Sequence, residues 1–455
     1  MQRYSDNTKR HRILRSMEPS TVEKLSQIAA RARNDHKLKF SNLTHHISPK
    51  LIEQVIKKTP KKSSAGPDGL TRDETLVNLD WMLKRRMYQI HKRSYKAEPV
   101  RRAYIPKSDG SKRPLGVPSI IERGIQGATS IVLEQIYEQD FLNCSLGFRP
   151  KRGCHNALAT LSHSIWREKM NFALEVDIRD FFGSLNHGWL LRFLAHRISD
   201  PRILDLIKSW LKAGVLEDGR HLESTDDGSV QGGSISPLLA NVYLHYVLDL
   251  WFEHVMKKQL RGKARLIRYA DDFVIMFEKA EDIESTEKLL KIRLKEFGLS
   301  VAENKTHRTD LRLRQRKGED RRCISFLGFE VYQEKSRSEK HEKVTFKTQS
   351  SRLSRSKLKL KETMKEMMHW NIESQAKQIN LTLKGHYNYY GLPGNSKTIS
   401  KFHYHTIRMW RQHLSRRSQR GQLSWEKFQR ILETHKLAPP RLRLGYRDID
   451  QYVML

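Results

Sequence analysis

Residues 265–278 read RLIRYADDFVIMFE, two adjacent aspartates, Asp271 and Asp272, set inside an otherwise apolar run. The apolar residues on either side predict two short strands that meet at the aspartates. Charged side chains seldom enter such surroundings unless they are paired or bound to a metal. The segment therefore reads either as a plain hairpin tip or as a carboxylate pair that holds a metal ion. A second pair, Asp226-Asp227, stands in the polar stretch STDDGSV and reads as a surface turn. Context has to separate the two.

Working outward, LLANVYLHYVLDLWFEHVM (238–256) predicts one long apolar-faced helix beginning near Pro237, and a further helix is expected over 280–297. Strands are expected near CISFLGFEVY (323–332) and KVTFKT (343–348). Upstream, FALEVDI (172–178) alternates, with Phe172, Leu174, Val176 and Ile178 on one face and Asp177 on the other. Residues 122–141 have helical spacing, and 100–120 suggest a basic hairpin around Ser108-Asp109-Gly110. In the N-terminal stretch MEPSTVEKLSQIAARAR, Ser20 with Glu23 offers a helix cap. Strands and helices mix without a regular βαβ rhythm, which predicts an α+β fold.

Beyond residue 349 the character changes. Residues 351–420 carry fifteen Lys or Arg, and their only acids are Glu362, Glu366 and Glu373. Leu353, Leu360, Met364 and Met367 share one helical face, and Arg352, Arg355 and Lys359 share another. So one-sided a charge favours contact with a phosphate backbone over a merely solvated face.

The whole chain agrees. Its 455 residues include 85 Lys plus Arg against 51 Asp plus Glu, a net charge of +34. The pI is near 10.1, and mean hydropathy is -0.68. A surplus of this size points to a polyanion, most often nucleic acid. An anionic membrane is the rival, but no run of eighteen apolar residues exists and MQRYSDNTKRHR lacks the core of a signal peptide. The expectation is a soluble protein of the bacterial cytoplasm or nucleoid, or of an organelle. Cys144, Cys154 and Cys323 form no CxxC pair, which excludes a zinc ribbon and a disulfide framework. The common metalloprotease, ATPase and dinucleotide signatures are absent as well.

Asp177 and Asp271-Asp272 each sit at a predicted strand end. If those strands are neighbours, three carboxylates converge, and two Mg2+ ions would relieve their repulsion and create a phosphoryl-transfer site.

The chain resembles the reverse transcriptases encoded by mobile group II introns. The motifs that carry the likeness are RRAYIPKSDGSKRPLGVPS, LGFRPKRGCHNAL, EVDIRDFFGSLNH, QGGSISPLLANVYLH, RYADDF, GLSVAENKT and FLGFEV, followed by LKGHYNYYGL, which is similar to the maturase thumb motif. They come in family order and span roughly residues 40–440. The resemblance implies a right-hand polymerase: a basic N-terminal extension (1–56), fingers and palm built on antiparallel sheet and helices (57–348), a helical thumb (349–418) and a short basic nucleic-acid-binding segment (419–455). It implies an RNA-directed DNA polymerase that uses two Mg2+ ions, with Mn2+ as a substitute, to extend a DNA primer with dNTPs on an RNA template. It further implies binding of intron RNA as a splicing maturase.

Residue by residue, Asp177 and Asp271 would hold the metals, with Asp272 in or near the same shell. Lys107 and Arg113 would grip the triphosphate, and Ile178 and Gln231 would lie beside the incoming nucleotide. Phe182 would exclude a ribose 2′-OH, unless Phe181 is the ring that faces the sugar. Lys305 matches a lysine that protonates the leaving pyrophosphate, although an exposed lysine would look the same. Phe326, Leu327, Gly328 and Phe329 match the primer grip, as would a core strand. Gly153, Gly183 and Ser229-Val230 depart from the family's usual residues. No cysteine pairs of an HNH endonuclease follow the thumb, so cutting of DNA by that route is not expected. A domesticated role in defence or repair, and an RNA-binding maturase without polymerisation, remain alternatives.

Overall fold

The computed structural model describes residues 18–106, 110, 112–217, 220–222, 232–312, 322–335, 342–417 and 422–455. Lys107, Gln231, Ser229-Val230 and the Asp226-Asp227 turn lie outside them. The chain divides into two compact units. The first takes the chain up to Cys154, Val176–Phe273 and Glu281–Thr306; the second takes His155–Glu175, Val274–Ala280 and His307–Leu455. Helices and sheets are mixed, and the fold is α+β, as expected.

In the first unit, helix Ile120–Asp140 is buried on nearly every side, and Ser119 caps it by accepting from the Glu122 amide. Helices Pro19–Asn34 and Pro49–Lys58 pack against it. Helix Pro19–Asn34 does not use Ser20 as its cap. Glu18 is the N-cap without a side-chain bond, and Pro19 takes the first turn, where its fixed φ fits and its missing N–H costs nothing. Strands β1 (Val100–Pro106) and β2 (Lys112–Val117) form the expected basic hairpin, with Ile105 opposite Arg113. With β3 as Phe172–Asp177, the next strands, β4 (Val215–Glu217) and β5 (Arg220–Leu222), complete a sheet of order β2-β1-β4-β5.

The expected long helix near 238–256 is interrupted. An α-helix over Ser236–Leu244 widens to a π-helical stretch at His245–Asp249 before Leu250–His254 resumes. A π-turn shifts the phase of the side chains that follow it, and here it brings Asp249 onto a buried arginine described below.

Strands β6 (Ala264–Tyr269) and β7 (Asp272–Phe277) are the two strands predicted around the aspartates. The four-stranded sheet to which they belong has the order β6-β7-β3-β8, where β8 is His307–Asp310. Both faces of β3 are covered: Ala173 and Glu175 are buried along with the alternating apolar set. β7 is likewise buried from Phe273 through Phe277, which explains why it reads FVIMF without polar alternation.

The second unit holds a three-stranded sheet of β9 (Ile324–Phe326), β10 (Phe329–Lys335) and β11 (Glu342–Thr348), ordered β11-β10-β9. After it, helices Ser350–Glu366, Ile372–Tyr390, Ser396–Ser415 and Trp425–Thr434 share a core of Leu360, Met364, Met367, Leu383, Tyr387 and Trp410 among others, with Leu353 packed at its edge. The C-terminal stretch returns to helix Cys154–Trp166, where Asn156 donates to the Tyr452 carbonyl at 2.9 Å. Among the described residues, no helix is long and apolar enough to cross a membrane.

Candidate active site

Asp177 is the last residue of β3 and Asp272 the first of β7, and these strands are neighbours in one sheet. Asp271 occupies the turn just before β7. All three aspartates are half-buried and belong to the first unit. The loop after helix Glu281–Glu296 pairs with the chain that leaves β3: Arg179 N–H donates to Ser300 O, and Ala302 N–H to Asp177 O, both at 2.8 Å. This pairing delivers Lys305, whose Nζ lies 2.7 Å from Asp177 Oδ2. Among the described residues, no three His, Cys, Asp or Glu side chains gather closely enough to hold an ion together. Asp177 pairs with Lys305.

The turn that carries Asp271 is held from beneath. Ala270 adopts a left-handed φ of 61°, a conformation that costs an L-residue roughly 1–2 kcal/mol. Arg268, fully buried, donates to the Ala270 carbonyl at 3.0 Å and forms a bidentate pair with Asp249 at 2.7 and 2.6 Å. It also donates to Asn241 Oδ1 at 3.0 Å and Ser145 Oγ at 2.7 Å. Asn241 in turn donates to the Gly147 carbonyl at 2.8 Å. Gly147 has to be glycine here, since a Cβ would stand 2.4 Å from the Ala270 amide nitrogen. Burial disfavours the Arg268 charge, but the Asp249 carboxylate outweighs it and holds the guanidinium pKa above its usual value.

Arg268, Asp249, Asn241, Ser145 and Gly147 are the site residues that sequence reasoning missed. Their one legible sign was an arginine in an apolar strand and an aspartate in an apolar helix, two charges needing each other.

The remaining candidates fall out as follows. Phe181 is buried, 2% exposed, and stands edge-on to Phe182 at 5.3 Å; Phe182 is only half-buried. Ile178 is buried and bridged to Val301. Arg113 lies in β2, and its side chain is outside the described set. In the second unit, Phe326 and Phe329 are fully buried across the tight turn at Leu327 (φ 51°) and Gly328 (φ 84°). The carbonyl of Leu327 accepts from Tyr389 Oη at 2.9 Å, and that of Gly328 from the Gln349 amide at 3.1 Å. Arg352, Arg355 and Lys359 are all exposed on their helix. Burial first, then the neighbouring Arg352, push the Arg355 pKa down.

Carboxylate oxygens are the hard donors that Mg2+ prefers, and Asp177 already carries a cation in Lys305. The donor chemistry fits a divalent ion.

A carboxylate-bearing strand beside a strand–turn–strand that presents a second carboxylate, within an α+β fold, is the arrangement expected of a polymerase palm. Residues 105–331 match the reverse transcriptase (RNA-dependent DNA polymerase) family, and the chain belongs to it. Group II intron-encoded and COX1 intron proteins are among the proteins it is similar to. It is 31% identical over 250 residues to protein YkfC of Escherichia coli, covering 53% of this chain and 64% of that protein. To the group II intron-encoded protein LtrA of Lactococcus lactis it is 33% identical over 240 residues, 51% of this chain and 39% of LtrA. A putative COX1/OXI3 intron 2 protein of Saccharomyces cerevisiae is 31% identical over 204 residues, 45% of this chain and 23% of its own. The chain thus spans less than two thirds of each of these relatives.

Proposed function

We propose that this chain is an RNA-directed DNA polymerase that extends a primer 3′-OH with dNTPs on an RNA template, and that it also binds intron RNA as a maturase. Supporting this most directly is the pairing of Asp177 with Lys305 at the end of β3, beside the strand that opens with Asp272. Asp177 and Asp271 are the carboxylates that would hold two Mg2+ ions, or Mn2+ in their place, with Asp272 in support. Bound there, the ions would supply activation of the 3′-OH and neutralisation of charge on the triphosphate.

Lys305, held beside Asp177 at 2.7 Å, would donate a proton from its ammonium to the departing pyrophosphate. Phe182, the more exposed of the two rings, would stand where a ribose 2′-OH would go, and Ile178 and Gln231 would take part in binding the nucleotide. Lys107 and Arg113 would bind the triphosphate, Lys as a point charge and Arg as a planar fork. The turn Phe326–Phe329 would support the primer strand.

By this reading, residues 57–348 are fingers and palm, preceded by a basic extension (1–56). The independent helical core supports a thumb over 349–418, with 419–455 as a further basic segment. Arg352, Arg355 and Lys359 would contact the phosphate backbone, and the mutual repulsion of Arg352 and Arg355 favours an anion there. The decisive experiment is primer extension with Mg2+ and dNTPs on an RNA template. Asp271→Asn should abolish it, and extension at the unaltered rate would sink the assignment.

A further inference from the structure

Helix Leu79–His91, in the first unit, has two unlike faces. Leu79, Leu83 and Ile90 are buried, and on that side Arg86 pairs with Glu98 and, at 3.2 Å, with Glu122. Opposite lie Trp81, Lys84, Arg85 and Tyr88, all exposed, with Trp81 67% and Tyr88 64% accessible. Their spacing of three, four and seven residues gathers them into one stripe about 100° wide on a helix with 3.6 residues per turn. The inner face is anchored by buried leucines and ion pairs, so the rings are not outside for want of a docked helix. They are surplus to the core.

Two separated rings with two cations between them suit one kind of partner. Unpaired bases stack on aromatic side chains whatever their identity, while the backbone between them offers phosphates to Lys and Arg. A membrane would need an unbroken apolar face, and Lys84 and Arg85 interrupt this one. A second copy laid stripe to stripe would set those cations against themselves, on a chain whose net charge is already +34.

We propose that this stripe docks an unpaired RNA segment, with bases stacked on Trp81 and Tyr88 and phosphates held by Lys84 and Arg85. The inference rests on the reading of the chain as RNA-directed, but uses none of the residues assigned to polymerisation.

The test uses the full chain with a template–primer duplex already bound, titrated with a short unstructured RNA carrying iodouridine. Photo-cross-links should map to Trp81 or Tyr88. The variant Trp81→Ala/Tyr88→Ala should lower affinity for the single strand by about tenfold or more, while extension of the bound primer continues at the unaltered rate. Three results would overturn the proposal: cross-links only elsewhere, an equal loss of affinity for a blunt RNA duplex, or binding to anionic phosphatidylserine vesicles that depends on Trp81. Failure of the polymerase reading would show separately, as extension by the Asp271→Asn protein.

Discussion

The acidic residue that braces the Asp271 turn from inside the protein is not one of the pair that first draws the eye. Asp271 and Asp272 remain half-buried, whereas Asp249 and its partner Arg268 are completely enclosed. Removing one member of such a pair strands the other charge in a medium that cannot solvate it. Arg268→Ala should therefore cost about 3–5 kcal/mol in urea unfolding, and the paired replacement Arg268→Met/Asp249→Leu much less. Because Arg268 also binds the Ala270 carbonyl, the paired variant should fold yet extend primers poorly. The two phenylalanines part in the same way. Phe181→Ala, in the core, should cost roughly 3–5 kcal/mol. Phe182→Ala should leave stability nearly unchanged and raise the incorporation of ribonucleotides relative to deoxynucleotides. An unchanged ratio would remove Phe182 from the sugar.

At the scale of elements, regular patterns were readable and their interruptions were not. The strands around RYADDF, the helix over 281–296 and the basic hairpin follow from periodicity and turn residues. The π-turn at His245–Asp249 does not, because it is stabilised by a partner nineteen residues on that no local pattern announces. Within helix Ile372–Tyr390, His386 is buried and stacks on Phe402 at 4.0 Å. Burial pushes its pKa down to about 4. Its folded pKa lies below the usual 6.5, so the unfolded chain binds the extra proton between those values, and stability falls as pH drops through that window. Wild type should lose about 2 kcal/mol relative to His386→Phe between roughly pH 6.5 and 5. Parallel urea midpoints for the two proteins would rule this out.

Over the whole molecule, a net charge of +34 makes binding to nucleic acid a salt-dependent process. The logarithm of the association constant for a template–primer duplex should fall linearly with the logarithm of salt concentration. Replacing Arg352, Arg355 and Lys359 with Gln should flatten that slope by about 0.9 for each phosphate left without its cation. A slope equal to that of the wild type would mean that this exposed face meets no backbone. The charge itself needed no structure to be read, since it is a sum over residues.

The sequence by itself determined the class of fold, the strands that present Asp177 and Asp271, and the kinship with reverse transcriptases, because these rest on local periodicity and on motifs whose residues are close in the chain. Tertiary structure alone decided that Lys305 answers Asp177 across 128 residues, that Phe181 rather than Phe182 is the core ring, and that Arg268 and Asp249 brace the Asp271 turn. Each is a choice of partner between distant segments. Packing and desolvation settle such a choice only once the strands are side by side.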